Sequence, residues 1–417
     1  MLASRSASLP QAMFSRGMAI MSSRKKSPAY IVGVGMTKFE KPREDGKEYP
    51  QLAKEAGRDA LLDAGLEFEQ VQQAVTGYVF GESTKGQRAV YELGMTGIPV
   101  YNTNNNCATG STALYLAQQL VVGGQAECVM ALGFEKMQKG ALQMESNGVN
   151  PLGVHISSLA NFGGSPITPV TPWMFGLAAR EHMKQYGTTK EQFARVAEKN
   201  HRHSANNPRA QFQKVYTLEE IMESKEIFDP LTKLQCSPTS DGAAAAIVCS
   251  KDFVKAHNLE DTAVEISAMK MATDVTKSFE SASGICGYHM TQKATRDALA
   301  EADVKVEDVQ VVELHDCFSS NELITYEALG LCGDGEGGKL IDEGQVTFGG
   351  KWVVNPSGGL ISKGHPLGAT GLAQCAEICW QLRKDEEVEN RQVEGATVGL
   401  QHNLGLGGAC VVGVYKR

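Results

Sequence analysis

One fifteen-residue segment of this chain has a recognisable second copy. Aligned without a gap, residues 58–72 (RDALLDAGLEFEQVQ) and 296–310 (RDALAEADVKVEDVQ) agree at eight positions, far more than unrelated helices share by chance. The chain is therefore expected to hold two copies of one unit. Each copy runs from an amphipathic helix through a Val-Gln turn into a β-rich segment, 74–80 in the first and 311–314 in the second. Each also carries an Ala-Thr-Gly tripeptide, at 108–110 and 369–371, opening a helical stretch. A small-residue strand follows, Asp241-Gly242-Ala-Ala-Ala-Ala in one copy and Leu406-Gly407-Gly408-Ala409-Cys410 in the other. Strands alternating with helices predict an α/β fold with mainly parallel sheets covered by helices.

The paired tripeptides put a thiol and an imidazole at matching helix N-termini. Cys107 directly precedes the first, between a short apolar segment at 98–101 and a helix over 111–122, and the dipole of that helix is expected to favour the thiolate. His365, in Gly364-His365-Pro366, stands just ahead of the second. A lone cysteine is more often a core residue than a nucleophile, so the reading of Cys107 rests on the residues around it.

The two copies differ in length. The surplus in the first, about 140–233, is rich in Gly, Pro and Asn and reads as an inserted loop domain. It contains a basic stretch, Arg180, Lys184, Lys190, Arg195, Lys199, His201, Arg202, His203 and Arg209. With a net charge of −8, nucleic acid and anionic membrane surfaces are poor partners, and this stretch is the best local candidate for meeting an anionic ligand. His201, His203 and His289 sit in no motif and are expected at the surface or as caps. Gly33-Val34-Gly35-Met36-Thr37-Lys38 lacks the third glycine of a dinucleotide loop and reads as a strand end. No apolar run is long enough to span a bilayer, so no stable membrane insertion is expected.

Ten cysteines include no C-x-x-C pair, and Cys375 and Cys379 have no histidine at ligand spacing, so no metal site is expected. The scattered thiols suit a reducing, intracellular compartment. Residues 1–27 are basic and Ser-rich, and the first acidic residue is Glu40. This segment resembles a mitochondrial presequence or a disordered tail. The mitochondrial matrix is expected ahead of the peroxisome, because the chain ends in Val-Tyr-Lys-Arg and not in a Ser-Lys-Leu address.

Four segments converge on one family: Asn105-Asn106-Cys107-Ala108-Thr109-Gly110, His315-Asp316-Cys317-Phe318, Gly364-His365-Pro366, and His402-Asn403-Leu404-Gly405-Leu406-Gly407-Gly408. Together they resemble the thiolase superfamily over residues 29–417, and His-Asp-Cys-Phe resembles the sterol carrier protein X branch, 3-ketoacyl-CoA thiolases. The sterol-carrier domain that can follow such thiolases is absent from this sequence, so lipid transfer by an attached module is not expected. The resemblance implies the thiolase fold: two βαβαβαββ halves stacked as a five-layered α-β-α-β-α sandwich with an inserted loop domain. The halves are expected at 28–139 with 234–265 and at 266–417, the insertion at 140–233. A homodimer is implied, with no bound cofactor and coenzyme A as cosubstrate.

The resemblance assigns roles that the chemistry wants. Cleaving the C2–C3 bond of a 3-ketoacyl-CoA takes a soft nucleophile, a sink for enolate charge and an acid for C2. Cys107 is the nucleophile; His365 takes its proton and offers an N–H to the thioester oxygen; His315 stands in the oxyanion position. Backbone N–H groups of Cys107 and Leu404 hold the oxyanion at C3, and Ser237 lies beside the pantetheine arm. The usual acid/base cysteine of a Cys-x-Gly segment is replaced by His402, so proton transfer at C2 falls to Cys317, with His402 as an auxiliary or rival. Cys410, in an alternating strand, is expected to be core. The products are a shortened acyl-CoA and acetyl-CoA or propionyl-CoA. Two alternatives stay open: the condensing direction, making acetoacetyl-CoA, and a catalytically weak acyl-CoA or lipid binder of the same fold.

Overall fold

The duplication is visible element by element in the computed structural model, which describes residues 28–137, 148–164 and 169–417. The first half runs β1 (Ala29–Met36), α1 (Tyr49–Ala64), β2 (Gln73–Gly77), α2 (Lys85–Val90), β3 (Val100–Thr103), α3 (Thr109–Val122), β4 (Cys128–Glu135) and β5 (Gly242–Ser250). Between β4 and β5 the chain inserts α4 (Gly153–Gly163), α5 (Val170–Tyr186) and α6 (Lys190–Ser204). The second half repeats the βαβαβαββ order with β6 (Val264–Ala272), α7 (Tyr288–Ala302), β7 (Val311–Glu313), α8 (Ser319–Ala328), β8 (Val353–Val354), α9 (Leu367–Arg383), β9 (Val398–Gly405) and β10 (Ala409–Lys416). β6 opens the second half at Val264, so the expected junction at 265/266 falls inside a strand. The candidate presequence, residues 1–27, lies outside the described residues.

The two copies of the fifteen-residue repeat have the same job. Each ends a helix, α1 or α7, and passes through a 3-10 turn into a strand. The shared terminal glutamine explains why it survives in both. Gln72 Oε1 accepts from the Glu127 N–H at 2.6 Å, and Gln310 Oε1 accepts from the Val398 N–H at 2.9 Å. In each half that side chain fixes the start of the neighbouring strand.

These ten strands form one hydrogen-bonded sheet in the order β8-β7-β9-β10-β6-β1-β5-β4-β2-β3, and a separate two-stranded hairpin, Glu226–Phe228 with Leu231–Thr232, lies in the insertion. Five belong to each half, and the halves join where Ala29, Tyr30 and Ile31 pair antiparallel with Ile266, Glu265 and Val264. The two five-stranded parts fold over α3 and α9, giving the five α-β-α-β-α layers. Apolar side chains fill the central space from both parts, among them Val75, Leu114, Ala246, Val311, Leu372 and Val411. Helix α1 covers the first part and α7 the second. Gly33 and Gly35 belong to this packing: a Cβ at Gly33 would meet the Ala60 carbonyl oxygen at 2.2 Å, so the glycines let α1 lie close on β1.

The paired tripeptides bring α3 and α9 together. A Cβ at Gly110 would lie 2.8 Å from the Gly368 carbonyl oxygen, and one at Gly371 would lie 2.1 Å from Ser111 Oγ. Only glycine lets the two backbones touch here. Both N-termini consequently open at the same place.

The insertion is more helical than its composition suggested. Phe175, Phe193, Leu177 and Trp173 give it apolar faces that pack against the second half. Its basic stretch does not form a free patch. Lys199 is buried on Glu322 at 2.7 Å, Arg180 and Lys190 share Asp229, Arg195 meets Glu191 and Asp342, and Arg209 meets Glu387 at 2.9 Å. His201 and His203 are buried and hydrogen-bonded at both ring nitrogens, not placed at the surface. A sequence shows the sign of a charge but not its partner. Among the described residues no helix is long and apolar enough to cross a membrane.

Candidate active site

The touching N-termini of α3 and α9 form the floor of a mainly apolar cavity of about 310 Å³, lined among others by Cys107, His315, Cys317, His365, Leu404 and Ser237. Sulfur atoms from the two halves thus share one space. Phe175, Phe212, Phe318, Ile361, Leu367 and Leu406 make its walls apolar, and an apolar surrounding strengthens any hydrogen bond inside. Lys233 is the one Lys, Arg, Asp or Glu among the lining residues.

Cys107 follows Asn106, which takes a left-handed φ of 51° to turn the chain from β3 into α3. Gly405 lets β9 approach this turn, since a Cβ there would meet the Asn105 carbonyl oxygen at 2.1 Å. Asn106 then ties across by donating its side-chain N–H to the Leu406 carbonyl at 3.2 Å. The Cys107 thiol donates to Asn106 Oδ1 at 3.5 Å. Burial pushes this thiol up to about 12, its own backbone N–H opposes the shift, and Glu135 adds to it. Desolvation is the largest influence on this thiol, and it acts against the thiolate that the helix terminus is expected to favour.

His365 is held from both sides. Its backbone N–H donates to Ser240 Oγ at 2.9 Å, and Nδ1 lies 2.7 Å from Thr370 Oγ1. The Thr370 hydroxyl donates to the Pro366 carbonyl at 3.0 Å, so it accepts from Nδ1–H. Nε2 therefore keeps its lone pair. It is buried and has no hydrogen-bond partner among the described residues, while burial holds the imidazole down at about 3. Thr370 is the threonine of the second Ala-Thr-Gly; the repeat flagged it, but as a helix start and not as a ring anchor.

His315 faces His365 edge-on, with ring centroids 5.1 Å apart. Ligating atoms of Cys107, His315 and His365 all lie within 4.8 Å of one another. His315 Nδ1 lies 3.0 Å from Asn403 Nδ2, which can only donate, so the ring proton is on Nε2. These are the donor types of a zinc site, yet His315 offers an N–H where a metal needs a lone pair. Burial, then His365 and His402, hold His315 well below the usual imidazole range. Cys317 is buried and its thiol raised by desolvation first and by Cys107 next.

The remaining expectations divide. Ser237 lines the cavity and its N–H donates to the Cys317 carbonyl at 2.9 Å. Leu404 lines it as well. His402 is not among the lining residues: Nε2 meets Thr291 Oγ1 at 3.0 Å and Nδ1 accepts from the His315 N–H at 3.4 Å. A ring occupied on both nitrogens leaves no atom for substrate, so the auxiliary or rival role is not supported. Cys410 is core, beside Thr291. Sequence reasoning missed His201 in the wall and Glu135 beneath the floor. Glu135 accepts from the N–H groups of Val79, Phe80 and Gly368, each at 3.0 Å, and so joins the loop after β2 to the start of α9. No motif marks it.

Two family models match, "Thiolase, N-terminal domain" over residues 29–252 and "Thiolase C-terminal domain-like" over 272–414. The chain is similar to "Sterol carrier protein 2" of Oryctolagus cuniculus, at 59% identity over 403 residues, covering 95% of this chain and 73% of that protein. It is 38% identical to "Acetyl-CoA acetyltransferase" of Methanothermobacter thermautotrophicus, covering 93% and 99%. Among solved structures, "Ltp2-ChsH2(DUF35) aldolase" superposes with a TM-score of 0.79 at 26% identity, covering 93% and 97%.

Proposed function

The chain belongs to the thiolase family of acyltransferases, and on that premise we propose that it cleaves 3-ketoacyl-CoA with CoA, through an acyl-enzyme on Cys107. One observation carries the reading: a thiol from each half and two imidazoles of opposite hydrogen-bonding character share one apolar cavity. A binding protein needs none of these together.

His365 Nε2, holding a lone pair, removes the Cys107 proton as the sulfur attacks C3 of the substrate. Sulfur and base are both neutral beforehand, so proton and sulfur move together. The C3 oxyanion is held by the backbone N–H groups of Cys107 and Leu404. As the C2–C3 bond breaks, electrons pass to the thioester oxygen, between His315 Nε2–H and the proton now on His365. The Cys317 thiol protonates C2, releasing acetyl-CoA or propionyl-CoA. Its raised pKa suits an acid facing a basic carbanion. A second CoA then gives its thiol proton to the Cys317 thiolate and takes the acyl group from Cys107, whose leaving sulfur regains its proton from His365. Lys233 and Ser237 support placing the CoA arm along this wall. The same groups serve condensation of two acetyl-CoA, and substrate chain length separates the two directions.

The test is thiolysis across a chain-length and 2-methyl series with two variants. Cys107→Ala should abolish turnover. Cys317→Ala should still release CoA on mixing with acyl-CoA, while solvent exchange into the acetyl-CoA methyl group stops. Full thiolysis by Cys107→Ala refutes the proposal.

A homodimer is part of the same reading, supported by β3, an edge strand paired only with β2, and by exposed Tyr91, Met95 and Tyr101 beside it; light scattering tests it. A mitochondrial matrix location, with the peroxisome as alternative, rests on residues 1–27, and import of a fusion carrying them tests it.

A further inference from the structure

The two imidazoles face the same cavity, yet separate hydrogen-bond chains run to them. The chain behind His315 begins on α9 and crosses both halves. Gln401 Nε2 donates to the Gly371 carbonyl at 2.5 Å and to Ser111 Oγ at 2.8 Å, while Gln401 Oε1 accepts from the Tyr415 hydroxyl. A backbone carbonyl can only accept, so the orientation of this amide is fixed. Ser111, already accepting from Gln401, spends its proton on Asn403 Oδ1 at 2.9 Å. That fixes the second amide: Asn403 must turn Nδ2 toward His315 Nδ1, 3.0 Å away. The reverse orientation would leave a fully buried Ser111 hydroxyl proton without an acceptor, at a cost of about 1–3 kcal/mol. All four wire residues, Gly371, Gln401, Ser111 and Asn403, are buried.

We propose that Gln401, Ser111 and Asn403 are positioning residues that lock His315 in the Nε2–H tautomer, so that it is a permanent donor opposite His365, a permanent acceptor at rest. The inference rests on the oxyanion role given to His315 above. It explains why neither ring needs to be charged at rest: the division of labour before reaction is set by where each neutral ring keeps its one proton. It also explains Gly371, whose Cβ would stand 2.1 Å from Ser111 Oγ and 2.6 Å from Asn403 Oδ1 and break the wire.

The ionisable side chains facing His315 are His365, His402, Cys107 and Cys317, all held neutral by burial. An Asn403→Asp variant places a titratable group in the wire. Its carboxylate accepts, drawing the ring proton to Nδ1 and leaving His315 no N–H to offer the cavity. One added proton, on either the carboxyl or the ring, returns an Nε2–H. Thiolysis by N403D should therefore be about 10² to 10³-fold below wild type at high pH, in kcat with KM little changed. It should recover about tenfold per pH unit on acidification, a slope wild type lacks.

The readout independent of activity is ¹⁵N-histidine NMR of the full chain, with His315 assigned by its loss in His315→Asn. Wild type should show His315 as Nε2–H and His365 as Nδ1–H. Ser111→Ala, which frees the Asn403 amide to turn, should show a mixture at His315 and keeps the test open if N403D does not fold. His315 as Nδ1–H in wild type, or unchanged in both variants, overturns the wire. The expected tautomers in a protein without thiolysis would refute the proposed reaction and leave the wire standing.

Discussion

Alkylation of Cys107 in the free enzyme should rise about tenfold per pH unit from pH 7 to 10, without a plateau. The thiol stands at about 12 and His365 at about 3. This gap of about nine pH units makes transfer of the proton between them roughly 12 kcal/mol uphill. Their attraction once charged, at the 4.8 Å limit on their separation, returns only about 3.5 kcal/mol at an effective dielectric near 20. The resting site therefore holds no thiolate–imidazolium pair. At pH 8 only about one thiol in ten thousand is ionised. Iodoacetamide labelling followed by mass spectrometry of the Cys107 peptide reads the rate without interference from the other nine cysteines. A plateau setting in anywhere below pH 9 would mean a preformed ion pair, and the concerted proton transfer proposed above would fall with it.

Two further expectations concern stability. Lys199→Met should cost about 3–5 kcal/mol in denaturant unfolding, because it leaves buried Glu322 without its counter-charge, with only the neutral donors Asn200, Asn355 and Tyr326, and frees the Val354 carbonyl that Lys199 holds at 2.8 Å; a loss under 1 kcal/mol would show that the pair is dispensable. Burial lifts the Glu135 carboxyl from 4.5 to about 7, against three backbone N–H groups that lower it. A folded value above the unfolded one stabilises fully below about 4.5, and the benefit is lost as pH rises through about 7. Unfolding free energy should then fall by about 3 kcal/mol from this group between pH 4.5 and 8, and Glu135→Gln should remove that slope, whatever its baseline.

Much of the site was legible because its chemistry sits in contiguous motifs. Cys107, His315, Cys317 and His365 stand in short segments, and the two Ala-Thr-Gly copies give thiol and imidazole matching helix N-termini; that the two termini touch is shown by the structure alone. The duplicated halves were equally plain, since the repeat preserves both a helix face and the glutamine that caps a strand. What escaped lies in relations between distant residues. Nothing in the basic stretch of the insertion told that its cations would be consumed by Asp229, Glu322 and Glu387. The helix terminus at Cys107 was readable, but the depth of burial that overrides it was not. His402 was misleading because β9 is covered on both faces, so alternation of polarity could not show which residues reach the cavity. The Gln401–Ser111–Asn403 wire spans 292 positions between Ser111 and Asn403, beyond any local pattern.

The contact of α3 with α9 through Gly110 and Gly371 means that neither repeat owns a working centre. Cys107 and His365 stand ahead of equivalent Ala-Thr-Gly helices in the two repeats, so the proposed nucleophile and base come one from each. Cutting the chain between β5 and β6 would yield fragments that are silent apart and regain chemistry only on reassembly, a built-in complementation assay for how two once-identical folds came to depend on each other.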